Sequence, residues 1–419
     1  MRVEASPRLA GDPRATRAAS LLAQCVHCGF CTAACPTYRL LGDERDGPRG
    51  RIWLVKRLLE DEPGAAQAAR VHLDRCLTCR ACETACPSGV RYGELAELGR
   101  ELAAHAAPAP WRRRALRAAL VAFLRSRLFR VLAFGGRVLA PLAPASLARH
   151  LPVPARRRAG IEAPAGAPRP RVLLLPGCVQ PSLRPGIHAA TERVLRAAGF
   201  DPVVAPGAAC CGALRMHGGD AAGGLANLRR NVDAWWPMLS GADGGAPVEA
   251  IVMTASGCGA MVRETGERLA GDPDYAARAR EVSARTRDLS ELLPQMATAL
   301  AARLRAGAAK PRAVVHLPCT LQHAQRGGQG LVAGLRQLGI EARAPATEGT
   351  LCCGSAGTYS VLQPDIARAL RGRKLASLAA APGERIVSAN IGCIAHLQAA
   401  TATPVRHWIE VLDEVLAGD

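Results

Sequence analysis

The sequence contains two copies of one cysteine motif, C-x2-C-x2-C-x3-C-P. The first copy is CVHCGFCTAACP at residues 25–36, and the second is CLTCRACETACP at residues 76–87. Iron in a [4Fe–4S] cluster takes four soft, deprotonated thiolate ligands. Three cysteines at three-residue steps wrap one side of such a cluster, and in two-cluster ferredoxins the cysteine before the proline ligates the other cluster. The motifs therefore predict two [4Fe–4S] clusters that exchange their fourth ligands.

The predicted ligand sets follow from this exchange. We expect the cluster-one set to be Cys25, Cys28, Cys31 and Cys86, and the cluster-two set to be Cys76, Cys79, Cys82 and Cys35. The alternatives are a zinc site and a disulfide framework. Zinc sites usually combine two C-x2-C pairs, whereas each motif here is a triplet with a trailing Cys-Pro. Duplication of the whole pattern also makes chance a poor explanation.

A helical module is expected to carry these motifs. We predict an α-helical ferredoxin module with two [4Fe–4S] sites over residues 1–105, frayed over residues 1–20. Apolar periodicity predicts helices over residues 51–60 and 65–76, of which the second leads into the second motif. The first of these helices has one apolar side made of Ile52, Val55, Leu58 and Leu59.

The segment between the two cysteine motifs contains two arginines, Arg49 and Arg51. One interpretation is that they contact a partner or lie near a cluster. The alternative is a plain surface ion pair.

Residues 106–169 are predicted to form a basic, helical and Pro-rich linker. Its helical part has several apolar residues on one side, and Arg127 falls on the same side, so the apolar stripe is imperfect. One interpretation is an interfacial helix that lies on anionic lipid or docks a partner. The alternative is a helical linker that packs on its own protein. The apolar residues in question are Leu116, Leu120, Phe123, Leu124 and Val131.

The remainder of the chain consists of two copies of one pattern, at residues 170–309 and 310–419. Each copy alternates strand, helix and strand, which predicts an α/β domain with a parallel sheet. Each copy also places four cysteines after strands, and ligand sites in such sheets lie at the carboxyl ends of the strands. These cysteines are Cys178, Cys210, Cys211 and Cys258 in the first copy and Cys319, Cys352, Cys353 and Cys393 in the second.

Three chemical roles suit these eight cysteines, and the sequence leaves the choice open. They would hold an additional iron–sulfur cluster, form a redox dithiol, or line a tight seam between domains. The predicted fold class is therefore a multidomain α+β protein. It has an N-terminal α-helical two-cluster ferredoxin module, a helical linker and two tandem α/β domains with parallel sheets.

Composition narrows the possible partners. The 419 residues contain 54 Lys and Arg against 35 Asp and Glu, giving a formal charge of +19, and only three of the basic residues are lysine. Such a bias can reflect genomic base composition, and no recognition-helix signature accompanies it, so we expect no nucleic-acid partner. An anionic membrane face or an acidic partner subunit suits the charge better. The chain contains sixteen cysteines and its N-terminal segment does not read as a secretory signal, so we expect the cysteines to bind metal rather than form disulfides. No apolar run is long enough to predict a transmembrane helix.

The residues also resemble a known family. HLDRCLTCRACETACPSGVRYGEL at residues 72–95, the upstream CVHCGFCTAACPTY, the PRGRI segment and the paired CCG repeats closely resemble the iron–sulfur subunit of glycolate oxidase (glycolate dehydrogenase). HLPCTLQH at residues 316–323 and NIGCIAH at residues 390–396 are similar to that family's second repeat. The CCG repeat itself is broader, because heterodisulfide reductase subunits, lactate-utilisation proteins and the anaerobic glycerol-3-phosphate dehydrogenase C subunit share it.

The sequence departs from the broad CCG pattern at one position in each copy. That pattern ends in C-x2-C, whereas CGAM here places Met261 at the last position and CIAH places His396 there. Each copy thus lacks one ligand that heterodisulfide reductases use, which argues against a disulfide-reducing activity. His396 remains a candidate iron ligand, or else a hydrogen-bonding histidine at a domain seam.

The resemblance implies an electron-transfer subunit. In that family a partner flavoprotein subunit with FAD oxidises glycolate, and also D-lactate, to the 2-oxo acid, and electrons leave through the iron–sulfur subunit towards the quinone pool. We therefore expect FAD-containing glycolate oxidase subunits as partners and a cytoplasmic location at the inner membrane surface. No nucleotide-binding or haem motif is legible in the chain itself. The alternatives are a heterodisulfide-reductase-like or lactate-utilisation redox subunit, and a non-catalytic membrane-docking scaffold.

Overall fold

The computed structural model describes residues 1–144, 151–153, 169–304 and 310–418. The chain forms two compact units. The first contains Met1–Leu120, His217–Gly219 and Thr350–Gly372, and the second contains Val121–Met216, Asp220–Gly349 and Arg373–Asp419. Residues 145–150 and 154–168 of the predicted linker lie outside the described ranges.

The N-terminal part of the chain is helical, as predicted. Its α-helices are α1 (Pro13–Ala23), α2 (Phe30–Ala34), α3 (Pro36–Leu41), α4 (Pro48–Leu59), α5 (Ala65–Asp74), α6 (Ala81–Thr84), α7 (Tyr92–Ala106), α8 (Trp111–Arg125) and α9 (Arg127–Leu139). Short 3-10 turns cover Pro7–Leu9, Glu44–Asp46 and Ala140–Leu142.

The expectation of a frayed N-terminus is wrong. Helix α1 begins after Asp12, whose carboxylate accepts a hydrogen bond from the Arg14 amide at 2.8 Å, and Pro13 occupies the first helical position. One face of α1, including Leu21 and Leu22, is fully buried in the core of the first unit. The helix is ordered because this apolar stripe packs against α7 and α4.

Helix α4 is longer than predicted at its start, because Pro48 is at the first helical position. The four apolar residues expected on one side, Ile52, Val55, Leu58 and Leu59, are all buried. Gly50 allows the helix to press against the preceding turn, since a Cβ there would lie 2.1 Å from the Glu44 carbonyl oxygen. This close approach positions the side chains of Asp46 and Arg51.

The second unit contains two four-stranded parallel sheets, which confirms the predicted fold class. The strands are β1 (Arg171–Leu174), β2 (Asp201–Val203), β3 (Ala250–Met253), β4 (Thr286–Asp288), β5 (Arg312–His316), β6 (Glu341–Arg343), β7 (Arg385–Ser388) and β8 (Val405–His407). Their order is β2-β1-β3-β4 in one sheet and β6-β5-β7-β8 in the other, so the two copies share one topology. The last strand of each sheet was not predicted, because three residues are too few to give a period.

Helices flank both sheets. They are α10 (Gln180–Leu183), α11 (Pro185–Ala197), α12 (Ala213–His217), α13 (Ala221–Ser240), α14 (Ser256–Arg263), α15 (Thr265–Arg268), α16 (Ala276–Arg285), α17 (Leu293–Leu300), α18 (Leu331–Gln337), α19 (Tyr359–Leu362), α20 (Pro364–Leu378), α21 (Ile391–Gln398) and α22 (Trp408–Ala417). A π-helical turn covers Thr320–Ala324, and 3-10 turns cover Leu289–Leu292 and Ala301–Arg303. Across the described ranges, no helix is both long enough and apolar enough to cross a membrane.

Buried polar contacts join the two sheets within the second unit. His407 accepts from the Ile409 amide through Nδ1 at 3.2 Å and donates through Nε2 to the Thr254 carbonyl at 2.9 Å. Burial lowers the pKa of His407 to about 4, so the imidazole is neutral in this tautomer at physiological pH. Arg193 and Asp413 form a two-pronged ion pair at 2.9 and 2.6 Å.

Candidate functional site

The two cysteine motifs follow the same backbone path. The first cysteine of each comes two residues after a helix, since α1 ends at Ala23 and α5 at Asp74. The second and fourth residues after that cysteine have positive φ in both motifs. These residues are His27 (57°) and Gly29 (84°) in the first motif, and Thr78 (53°) and Arg80 (61°) in the second. Three of the four are not glycine, so the surrounding structure holds them in the left-handed region.

One group of thiols gathers around Cys31. Its sulfur lies within electrostatic range of Cys25 and Cys28 from the same motif and of Cys86 from the other. Burial raises the pKa of the Cys31 thiol, and these neighbouring thiols raise it further. All four cysteines line one recess, whose wall also includes Cys82.

A second group gathers around Cys82. Burial raises the pKa of this thiol well above its ordinary value, and Cys79, Cys76 and Cys35 add to the effect. Here too, three cysteines come from one motif and the fourth from the other. The donor chemistry of both groups fits a [4Fe–4S] cluster, because each offers four thiols and a cluster takes four thiolates.

The two groups differ in exposure. Cys28 is exposed, whereas Cys35, Cys79 and Cys82 are buried. The neighbours of Cys28 include two exposed apolar side chains, Val26 at 67% and Phe30 at 65%. The cluster-one set is therefore the one that another molecule can approach.

Cys35 lies in a polar pocket that the sequence did not reveal. Its Sγ is 3.2 Å from the hydroxyl of Thr37 and accepts from Nη1 of Arg51 at 3.9 Å. Thr37 donates to the Asp46 carbonyl oxygen at 2.7 Å and accepts from Nη2 of Arg51 at 3.0 Å. Such outer contacts orient a metal ligand and tune the metal it binds.

Asp46 is the buried anion of this pocket. Its carboxylate contacts Nη1 of Arg75 at 2.8 Å and Nδ1 of His72 at 2.9 Å, and Nη2 of Arg51 at the longer distance of 3.5 Å. Both Asp46 and Arg51 are at most 1% exposed. The sequence singled out Arg51 through the PRGRI segment. It contained no signal that Arg51 contacts Asp46 or His72.

Cys76 is surrounded by donors and positive charge. The Thr78 amide donates to its Sγ at 3.4 Å, and the Tyr92 hydroxyl donates to it at 3.8 Å. Burial opposes ionisation of Cys76, but the guanidinium groups of Arg51 and Arg100 outweigh it and lower the pKa of the thiol. The site therefore favours the thiolate, which is the form that binds iron.

The loop of the second CCG repeat belongs to the first unit. Cys352 and Cys353 are buried there, and Tyr359 donates its hydroxyl hydrogen to the Arg75 carbonyl at 2.9 Å. This contact ties the loop to the residue that precedes Cys76. Sequence reasoning missed Tyr359, because no local signal links it to a position 284 residues earlier.

The four cysteines of the first copy lie at the switch point of its sheet. Cys178 follows β1 and Cys258 follows β3, and these two strands are neighbours in the sheet. The chain continues from β1 to β2 on one side of this pair and from β3 to β4 on the other side, which makes the pair a topological switch point. The thiols form a chain of contacts, in which Cys178 meets Cys210, Cys210 meets Cys211, and Cys211 meets Cys258. The hydrogen bond from Cys178 lowers the pKa of Cys210, and the same contact raises that of Cys178.

The glycine after each cysteine pair has a structural reason. Gly212 and Gly354 have φ of +92° and +88°, and a Cβ at either would lie within 2.8 Å of a backbone oxygen. Each donates its amide hydrogen to the first cysteine of the pair at 3.5 Å. The CCG sequence therefore encodes a backbone shape as well as two thiols.

The remaining candidates fall in the second unit. Cys319 precedes the π-helical turn after β5, and Cys393 lies in α21 after β7, where Asn390 donates to its sulfur at 3.4 Å. Met261 is buried in the apolar core of the first sheet, so this departure from the CCG pattern is accommodated by packing. His396 is half-buried on α21.

Comparison with known proteins matches these parts of the chain. The family described as 4Fe-4S dicluster domain matches residues 21–90, and the family described as Cysteine-rich domain matches residues 172–263 and 313–398. The chain is 45% identical over 424 residues to the glycolate oxidase iron-sulfur subunit of Escherichia coli K12, covering 99% of both chains. It is 30% identical to the probable glycolate oxidase iron-sulfur subunit of Bacillus subtilis, covering 90% of this chain and 88% of the relative. Lactate utilization protein A of Shouchella clausii is 23% identical over 58% of this chain.

Proposed function

Because the chain belongs to the family of glycolate oxidase iron–sulfur subunits, we propose that it is the electron-transfer subunit of a complex that oxidises glycolate, and also D-lactate, to the 2-oxo acid. The observation that carries this proposal is the pair of four-thiol groups inside a chain that aligns with the E. coli subunit over 99% of its length. A redox subunit needs sites that store single electrons, and two [4Fe–4S] clusters supply that chemistry when bound.

The ligand sets proposed are those predicted from the motifs. Cys25, Cys28, Cys31 and Cys86 hold cluster one, and Cys76, Cys79, Cys82 and Cys35 hold cluster two. The grouping of thiols around Cys31 and around Cys82 supports both sets. The match to a 4Fe-4S dicluster domain over residues 21–90 favours iron over zinc.

Oxidation of a 2-hydroxy acid at carbon is chemistry that a flavin supplies. We therefore place FAD on partner subunits and propose that they dock beside the cluster-one set. The exposed thiol of Cys28 and the exposed apolar side chains of Val26, Phe30 and Trp53 support this position. A partner covering them would bring its flavin close while excluding water.

The test is the reduction of the iron–sulfur chromophore by substrate. Glycolate added anaerobically to the complex purified with its flavoprotein subunits should bleach the visible iron–sulfur absorbance and produce the EPR signal of reduced clusters. The isolated chain, given the same glycolate, should stay oxidised, because its partner carries the flavin. Clusters that remain oxidised in the complex, while dithionite reduces them, would contradict the proposed function.

We also propose that helix α9 rests on an anionic membrane surface, close to the quinone pool, on the cytoplasmic side of the inner membrane. One side of α9 packs through Ala133, and the opposite side presents six large apolar side chains that are 55–65% exposed. Residues 111–142 contain eight arginines and no acidic residue, so the charge complements anionic lipid. The exposed side chains are Leu128, Val131, Leu132, Phe134, Val138 and Leu139.

Vesicle flotation tests this surface. The double variant Leu128→Glu and Leu132→Glu should bind phosphatidylglycerol vesicles at least about tenfold more weakly than the parent, because it removes two apolar contacts and adds negative charge. Val361→Glu, at a residue that is 56% exposed elsewhere on the chain, is the matched control and should bind like the parent. Equal binding by both variants, or equal binding of the parent to neutral phosphatidylcholine vesicles, would count against the proposal.

The CCG cysteines support a narrower proposal. The contacts from Cys178 through Cys210 and Cys211 to Cys258 favour a further redox or metal site in the first copy, with Cys319, Cys352, Cys353 and Cys393 as its counterparts in the second. The same contacts support a second candidate function, thiol–disulfide reduction at the CCG cysteines, although Met261 and His396 stand where the heterodisulfide reductases have a further cysteine. Substituting Cys211 should then abolish disulfide turnover and leave the N-terminal clusters intact.

We propose the domain boundaries predicted from the sequence. They give a ferredoxin module over residues 1–105, a linker over 106–169, and CCG domains over 170–309 and 310–419. The matched ranges of the two families, 21–90, 172–263 and 313–398, fall inside these limits and support them.

A further inference from the structure

Arg51 is a buried cation with unusual surroundings. It is 1% exposed, and its Nε donates to the His72 carbonyl oxygen at 2.8 Å, which fixes the plane of the guanidinium group. The two remaining nitrogens face Thr37 and Cys35. A charge held in this way, away from water, acts more strongly on its neighbours than one at the surface.

The positive charge of Arg51 is not fully cancelled by Asp46. The Asp46 carboxylate is closer to Arg75, at 2.8 Å, than to Arg51, at 3.5 Å, and it also contacts His72. Nη1 of Arg51 donates to Sγ of Cys35 at 3.9 Å, and Cys76 lies within electrostatic range of the guanidinium group. The guanidinium therefore acts on two members of the cluster-two set, Cys35 and Cys76.

A neighbouring arginine provides a comparison. Arg49 lies two residues earlier on α4, close to Gly29 and Cys31 of the cluster-one set. It is partly exposed and pairs with Glu44 at 2.7 Å. Its charge is thus both compensated and screened by solvent, whereas that of Arg51 is directed at buried thiols.

We propose that Arg51 raises the reduction potential of cluster two and so makes it easier to reduce than the bare thiolate set would allow. This inference rests on the proposed ligand set of cluster two. One-electron reduction adds one negative charge to an iron–sulfur cluster, and a fixed cation near its ligands stabilises that charge. Arg51 is a positioning residue, because it acts through Cys35 and Cys76 rather than on a substrate.

A potentiometric titration of the holoprotein, followed by EPR, tests the proposal. The cluster-two signal is the one that Cys35→Ser removes, and the cluster-one signal is the one that Cys86→Ser removes. At the potential where cluster two of the parent is half reduced, the ratio of reduced to oxidised cluster two should be at least tenfold lower in Arg51→Gln than in the parent. A tenfold change in this ratio corresponds to a reduction potential that is 59 mV lower for one electron. The cluster-one signal should titrate as in the parent.

Three further variants make the test specific. Arg51→Lys retains the charge and should stay within about threefold of the parent ratio. Arg49→Gln is the matched control and should leave cluster two unchanged. Arg100→Gln removes the other guanidinium that acts on Cys76 and should lower the same ratio by a smaller factor, even if Arg51→Gln fails to fold.

The outcomes separate this inference from the proposed function. If the Arg51→Gln and Arg100→Gln proteins both bind two clusters and the potential of cluster two is unshifted, the proposed role of Arg51 is overturned. The electron-transfer function would still stand in that case. A shift of equal size in both clusters would also overturn the role of Arg51. A complex whose clusters glycolate never reduces would instead overturn the function, whatever the potentials of the variants.

Discussion

Replacing Cys35 by serine should remove cluster two and leave cluster one, although Cys35 lies in the first motif. Its thiol belongs to the group around Cys82, together with Cys76 and Cys79. Iron content should fall from about eight to about four atoms per chain, since each cluster contains four irons. The measurement is iron per chain after anaerobic purification, together with EPR of the dithionite-reduced protein.

The matched variant is Cys86→Ser, which lies in the second motif but belongs to the group around Cys31. It should also lose about four irons, but the EPR signal that survives should be the one that Cys35→Ser loses. If each substitution removed the cluster of its own motif, the exchange of fourth ligands would be wrong. Loss of both clusters from either variant would show that the two sites form one cooperative unit.

Iron content of the parent also bears on the CCG cysteines. About eight irons per chain would indicate that the N-terminal clusters account for all the metal. Clearly more than eight would assign metal to the CCG repeats. A protein that carries zinc, or no metal, after isolation without oxygen would contradict both ligand sets.

Replacing Asp46 by alanine should destabilise the first unit by about 3–5 kcal/mol, the cost of leaving buried charges uncompensated. Asp46 is 0% exposed and is the carboxylate that meets Arg51, Arg75 and His72. Without it, Arg51 and Arg75 lose the carboxylate that they share, and His72 loses its partner. At about 1–3 kcal/mol per molar urea, the unfolding midpoint should fall by about 1 M or more.

Anaerobic urea titration followed through the iron–sulfur absorbance measures this effect in the first unit. Asp46→Asn keeps hydrogen-bonding capacity and loses only the charge, so its midpoint should lie between those of the parent and Asp46→Ala. Asp365→Ala is the control in the same unit, because Asp365 is 92% exposed and pairs with the exposed Arg368 at 2.7 Å, so this variant should unfold like the parent. Equal midpoints for Asp46→Ala and Asp365→Ala would rule out a stabilising role for the buried network.

The helices of the first unit illustrate how far pattern alone could lead. The apolar side of α4 was predictable because Ile52, Val55, Leu58 and Leu59 recur with the helical period. Helix α1 was missed because its short apolar stripe of alanines and leucines lies in a segment rich in Arg and Pro. Its stability comes from packing against other helices, which a local window does not contain.

The sheets illustrate the same limit. Strands β1, β3, β5 and β7 were recognisable from runs of buried Val, Ile and Leu, as expected for a central parallel strand. Strands β4 and β8 are three residues long and exist because each completes the edge of a sheet whose centre is already formed. Their sequences carry no preference strong enough to predict them.

By itself, the sequence determined the chemistry of this protein. Cysteine spacing, the trailing proline and the repeated CCG pattern specify thiolate sites and parallel sheets, because ligand number and strand period are local properties. Only the tertiary structure decided the electrostatic setting of those sites. It placed Arg51 against Cys35 and Cys76, shared Asp46 between Arg51 and Arg75, and left Cys28 exposed. Burial and charge compensation arise between residues that are distant in the chain, so no local pattern encodes them.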